Sequence, residues 1–79
     1  MDNLNTIIKL ISENLGVEKN LITPTADFFN DFNATKLEVA DLVLRIQKEL
    51  EIEIEEEKIN QIKTVADLFK IIEENSDEF

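Results

Sequence analysis

Apolar residues return at helical spacing in three stretches of the chain. Leu4, Ile7, Ile8, Ile11 and Leu15 recur every three or four positions, the repeat that gathers side chains on one face of an α-helix. Asp2 or Asn3 can cap this first helix, expected over 3–15, and Gly16 stands where helices commonly stop. The best-marked helix is expected over 36–50. Thr35-Lys36-Leu37-Glu38 has the form of a capping box, with Thr35 as N-cap and Glu38 at N3. Behind it Val39, Leu42, Val43, Ile46 and Leu50 form a stripe, which Leu37, Ala40 and Leu44 widen. Thr64-Val65-Ala66-Asp67 is a second cap signal, opening a last helix over 65–75 that carries Val65, Leu68, Phe69, Ile71 and Ile72.

The segments between are read from what they cannot do. Residues 17–34 form a long connection punctuated by Thr23-Pro24, yet they hold Val17, Leu21, Ile22, Phe28, Phe29 and Phe32. So apolar a loop is expected to lie on the core. Glu51-Ile52-Glu53-Ile54 alternates as a strand does, but a lone strand has nothing to pair with. It reads as extended loop, followed by a short helix near 56–61 that buries Ile59 and Ile62. The tail from Asn75 to Phe79 is expected to fray. The pattern therefore predicts one all-α domain over 1–79, a monomeric bundle of three long helices and one short.

Composition narrows the chemistry. The chain has 79 residues and contains no cysteine, histidine, tryptophan or tyrosine. Disulfides and thiolate metal sites are excluded, and the commonest general base is missing. A single glycine leaves no phosphate-cradling loop. Asp27, Asn30, Asp31 and Asn33 lack the spacing of a calcium loop, and no nucleophile–base pair is evident. No catalytic and no metal-binding residue is assigned, which argues against an enzyme. Against 8 basic residues stand 18 acidic ones, a net charge of −10. Such a surface repels nucleic acid and anionic membrane and attracts basic protein patches. Lack of a signal-like N-terminus, of a membrane-spanning run and of cysteine suits a cytoplasmic location.

Two segments together resemble the acyl carrier protein family. They are Ile11-Ser12-Glu13-Asn14-Leu15-Gly16-Val17 and Asp31-Phe32-Asn33-Ala34-Thr35-Lys36-Leu37-Glu38-Val39-Ala40-Asp41-Leu42. The family's pattern in the second reads roughly D-L-G-x-D-S-L. Glu53-Ile54 and Ile62-Lys63-Thr64-Val65-Ala66-Asp67-Leu68 resemble its third and fourth helices. The resemblance covers nearly the whole chain and implies a four-helix bundle of acyl-carrier type. It also implies a serine bearing a phosphopantetheine arm, on whose thiol acyl groups ride as thioesters.

Here the sequence departs from that pattern. Lys36 occupies the position of the attachment serine and Thr35 that of the preceding aspartate. An amine is not the hydroxyl that the modifying transferase uses, so no phosphopantetheine is expected at Lys36. At N1 its charge opposes the helix dipole at a cost of up to about 1 kcal/mol, so drift after loss of the carrier role stands against a positive role for Lys36. Asn33, at the family's glycine, tolerates left-handed backbone and can keep the turn. The family's second helix is an acidic docking face. Here 36–50 holds Glu38, Asp41 and Glu49 against Lys36, Arg45 and Lys48, three against three and net zero. The acidity moves downstream, where Glu51, Glu53, Glu55, Glu56 and Glu57 fall within seven residues. Phe29 and Phe32 replace smaller aliphatics, either as ordinary core rings or as fillers of the space that shelters an acyl chain in the family.

The resulting expectation is an acyl-carrier-like protein without its arm. It would act as an adaptor or regulator that binds basic partners through Leu37, Glu38, Asp41, Arg45, Lys48, Glu53, Glu56 and Glu57. The alternative is a working acyl carrier of fatty-acid or related acyl-thioester biosynthesis. It would be modified at Thr35, Ser12 or Ser76, or its serine would have been replaced in this version of the chain.

Overall fold

The apolar stripes meet in one core, formed among the described residues by sixteen buried side chains from Ile7 to Ile72. The computed structural model describes residues 3–75. Within them run helices α1 (Asn3–Leu15), α2 (Lys36–Leu50), α3 (Glu56–Ile59) and α4 (Val65–Glu74), with a 3-10 turn at Lys19–Leu21. The result is the expected four-helix bundle of three long helices and one short. Asp2 and the tail beyond Asn75 lie outside the described residues. Asn75 itself closes α4, its side-chain amide donating to the Ile71 carbonyl at 2.8 Å.

Both threonine caps form. Thr35 Oγ1 accepts from the Glu38 amide at 3.1 Å, and Glu38 Oε1 accepts from the Thr35 amide at 2.8 Å. Thr64 and Asp67 make the same reciprocal pair at the start of α4. Each box satisfies two helix-terminal or adjoining amides that would otherwise lack partners. Gly16 and Glu51 take the left-handed conformation after α1 and α2, with φ of 66° and 56°. Glycine is the ordinary residue at such a helix end. The glutamate is tolerated there with its amide bonded back to the Gln47 carbonyl.

Several core assignments shift. Val39, Leu42, Val43 and Ile46 are buried, but Leu37 and Leu44 are 72% and 59% exposed and do not widen the stripe. The broad stripe read from sequence counted every apolar residue of α2, whereas one flank of that helix faces solvent. On α1 the buried face is Ile7, Leu10 and Ile11, and Leu4 is exposed. The short helix ends at Ile59, which is only half-buried, while Ile62 beyond it is buried.

The long connection does lie on the core, through Ile22, Ala26 and Phe28. It is also fastened to the start of α4. The Phe28 amide donates to the Lys63 carbonyl at 2.9 Å, and the Val65 amide to the Ala26 carbonyl at 3.0 Å. This bridge joins Asp27 to Thr64; among the described residues, 51–54 have no strand partner. Instead the Ile54 amide donates to the Gln47 side chain at 2.8 Å, turning Ile54 into the core.

Candidate functional site at the start of helix α2

Residue 36 is held from both sides. Before it, the turn 27–34 is tied by its own side chains. Asp27 Oδ1 accepts from the amides of Phe29 and Asn30 at 2.8 and 2.9 Å. Asp31 Oδ2 accepts from the Asp27 amide at 2.7 Å. Such aspartate-closed turns are built from sequence-local groups. Phe28 is wholly buried and meets Phe32 edge-to-face, with ring centroids 5.9 Å apart. The Ala34 amide then returns to the Phe28 carbonyl at 2.9 Å. Asn33 makes the reversal at φ 57°, the left-handed backbone expected of it. Behind residue 36, the capping box fixes the first turn of α2.

Lys36 is the first residue of α2 and its side chain is exposed. It lines a cleft of about 350 Å3 together with Phe29, Val39, Ala40, Ile59 and Lys63. Phe29 therefore forms a cleft wall, half-buried, while Phe28 is the fully enclosed ring of the turn. Sequence reasoning missed Lys63, which lies 27 positions away by its number and carries no motif. Only the fastening of the long connection to the start of α4 brings it to the same cleft.

The other predicted site residues fall into two groups. Leu37, Asp41, Arg45 and Lys48 are exposed, and helical spacing sets them on the flank of α2 opposite Val39, Leu42, Val43 and Ile46. Exposed Leu44 belongs with them. Glu38 is exposed, but its carboxylate is engaged in the cap. Arg45 is partly engaged as well, since its guanidinium donates to Asn14 Oδ1 at 2.8 Å and pairs with Glu13 at 3.6 Å. It ties α2 to α1 and is half exposed for other contacts. The second group, Glu53, Glu56 and Glu57, is exposed on the segment leading into and through α3. Among the described residues, no hydrogen bond or ion pair joins it to the α2 flank.

Asp67 is held below the ordinary carboxylate range, first by the hydrogen bond from the Thr64 amide, then by the Lys63 amide, the Thr64 hydroxyl and the Lys63 charge, with partial burial opposing them. Its work is to cap α4. Among the described residues no group of three acidic side chains is gathered as a metal site would need, and no helix is long and apolar enough to cross a membrane.

Comparison with known proteins agrees with the geometry. The family described as phosphopantetheine attachment site matches residues 5–72. An acyl carrier protein of Helicobacter hepaticus is 36% identical over 75 residues, covering 95% of this chain and 99% of that protein. One from Syntrophobacter fumaroxidans is 36% identical over 69 residues, covering 87% and 85%. The crystal structure of an acyl carrier protein from Thermotoga maritima superposes with a TM-score of 0.71 at 27% identity, covering 90% of this chain and 87% of that one.

Proposed function

Because the chain belongs to the acyl carrier protein family, we propose that it serves acyl-thioester metabolism as a carrier-fold docking protein that holds no arm at residue 36. The observation that carries this reading is the side chain at the start of α2. Phosphopantetheine, where the family carries it, supplies the thiol to which acyl groups are joined. Its attachment requires a hydroxyl, and Lys36 presents an ammonium in that place. The residues present therefore do not fit the group, although the turn and cap that display them are intact. What remains is recognition. The exposed flank with Leu37, Asp41, Leu44 and Lys48 offers apolar contact between charges of both signs, and the glutamates from 51 to 57 draw a basic partner toward the end of α2 and α3.

A second reading is a working acyl carrier of fatty-acid or related biosynthesis. The names of the relatives and the nearly full-length match support it better than they support the first reading. Ser76 lies outside the described residues, and the other two candidate hydroxyls lend it less. Ser12 is partly buried and donates to the Val17 carbonyl at 2.6 Å. Thr35 adjoins the right place, but its oxygen accepts the Glu38 amide.

Intact-mass measurement separates the two. The native protein, as isolated and after incubation with coenzyme A and a broad-specificity transferase, stays bare under the first reading. Lys36→Ser gains one arm, and Thr35→Asp combined with Lys36→Ser gains it faster. An arm on the native chain establishes the second reading in place of the first. If both variants also stay bare, the surface is no longer one that the transferase recognises, and the docking proposal loses its support.

A further inference from the structure

Among the described residues, the two most exposed large apolar side chains, Leu37 and Leu44, both stand on α2. With Asp41 and Lys48 they recur at spacings of four, three and four along its outer face, the interval at which one helix lays a seam on another. The charges beside this seam have an order of their own. Counted outward from Val43, Asp41 stands two residues before and Arg45 two after, and Glu38 five before and Lys48 five after. Lys36 stands seven before, level with Leu50 seven after, between Glu49 and Glu51. Each step outward sets one sign against the other, so the helix matches its own reverse. Laid antiparallel on a second copy, about a two-fold axis level with Val43, α2 faces Asp41 with Arg45 and Glu38 with Lys48. Lys36 comes level with the end that carries Glu49 and Glu51. Leu44 falls beside the axis, near its own counterpart, and Leu37 near the aliphatic stem of Lys48. A parallel pair in register would set every charge against its like.

Other faces among the described residues lack this match. The groove by Leu21, Ala26 and Phe32 has an aspartate and no cation. The groove between α3 and α4 has its charges engaged, Lys58 with Glu74 and Asp67 with the cap. Residues 51–57 hold five glutamates and repel a second copy. On a body of net charge −10, α2 is net zero over 36–50, so two copies approach there against less repulsion. In about 0.15 M salt the charges elsewhere are screened beyond about 8 Å. Arg45 keeps half its side chain exposed while it holds Glu13, and Glu38 gives one oxygen to the cap, so both remain open to a second copy. One helix against one helix covers less than the roughly 1,200 Å2 of a standard interface. The pair is therefore weak, with Kd on the order of 0.1–1 mM.

We propose that two copies of this chain pair antiparallel through the outer face of α2, with Leu44 at the two-fold axis and Asp41 against Arg45 on either side of it. The monomer expected from the sequence is then the form at low concentration. The inference rests on the proposed function in that it occupies the same docking flank and leaves residue 36 an unmodified lysine; any other partner must displace the second copy. The test is amide chemical shifts and translational diffusion of the full chain, first weighed by mass spectrometry, at concentrations up to about 2 mM in about 0.15 M salt. Slower diffusion with rising concentration is expected, with shifts centred on Leu37, Asp41, Leu44 and Lys48. Asp41→Lys and Arg45→Glu each turn two attractive contacts per pair into repulsive ones and weaken pairing about tenfold or more. Mixed in equal amounts, these two variants pair as the native chain does, because each supplies the charge the other has lost. The chain carrying both changes also pairs, which only the antiparallel arrangement allows. Lys9→Gln on α1 changes nothing. Should Arg45→Glu fail to fold for want of its tie to α1, Asp41→Lys and Leu44→Lys carry the test, since each abolishes native pairing. Diffusion independent of concentration, shifts centred on another face, or no association in the mixture of folded variants overturns the inference. A sample that carries an arm overturns the proposed function instead, and a bare sample that stays monomeric overturns only the pairing.

Discussion

Removing the hydroxyl of Thr35 tests whether the start of α2 is held as described. In Thr35→Ala the Glu38 amide loses its acceptor at 3.1 Å, while the backbone amide of residue 35 can still donate to the Glu38 carboxylate. Loss of an N-cap threonine costs about 1 kcal/mol, within a range of roughly 0.5–2. For a domain of 79 residues, an unfolding entropy of about 2 cal/mol/K per residue sums to about 0.17 kcal/mol/K, so the melting temperature falls by about 6 °C. Thr35→Asp keeps an acceptor at the cap and stays within about 2 °C of the native chain. Thr25→Ala, at an exposed turn position, is the control and changes little. Thermal unfolding followed by circular dichroism gives the shifts, and hydrogen exchange at the Glu38 amide reports the lost bond directly. If Thr35→Ala melts with the native chain, or no lower than Thr25→Ala, the capping box does not hold residue 36 in place.

Salt should raise the melting temperature, because a net charge of −10 on so small a body repels itself and ions screen that repulsion; an unchanged or lower midpoint counts against this. Asn33→Gly should leave the fold at least as stable, whereas Asn33→Ala, forced to φ 57°, should lose about 1 kcal/mol; equal urea midpoints for the two would refute a left-handed requirement. The carboxylate of Asp67 is lowered in the folded chain, chiefly by the Thr64 amide. Its stabilisation is fully present above the ordinary aspartate value of about 4 and is lost as pH falls through the lower folded value. Asp67→Asn should therefore lose less stability than the native chain on acidification through that window, and parallel melting curves against pH would contradict this.

The three long helices were legible because each carries an apolar stripe with a punctuating cap, and Thr35, Thr64 and Asn33 act through bonds and angles local in sequence. What escaped was set at a distance. Leu37 and Leu44 are as apolar as Leu42, and only the course of neighbouring elements leaves them in solvent. Phe28, Phe29 and Phe32 could not be ranked, since a turn sends adjacent rings to core, cleft and edge by no simple period. The partial engagement of Arg45 by Asn14 and Glu13 depends on how α1 crosses α2. Lys36 stood out in the sequence at the first turn of α2, but Lys63 on the same cleft did not, because no local rule relates the two.

The bridge between Asp27 and Thr64 carries a consequence for how the molecule breathes. The turn that sets the aim of residue 36 is stitched, through Phe28 to Lys63 and Ala26 to Val65, onto a helix that begins some thirty residues after residue 36 itself. Neither side of that stitch can loosen alone without orphaning backbone amides of the other. Turn and α4 thus open as a single cooperative unit, and the amides of Phe28 and Val65 should exchange with solvent at one common free energy. During folding the same linkage places the finished site late, because closing so long a loop precedes any gain from its contacts. A lesion at the far end of the chain, in the first turn of α4, is then felt as a misdirected residue 36.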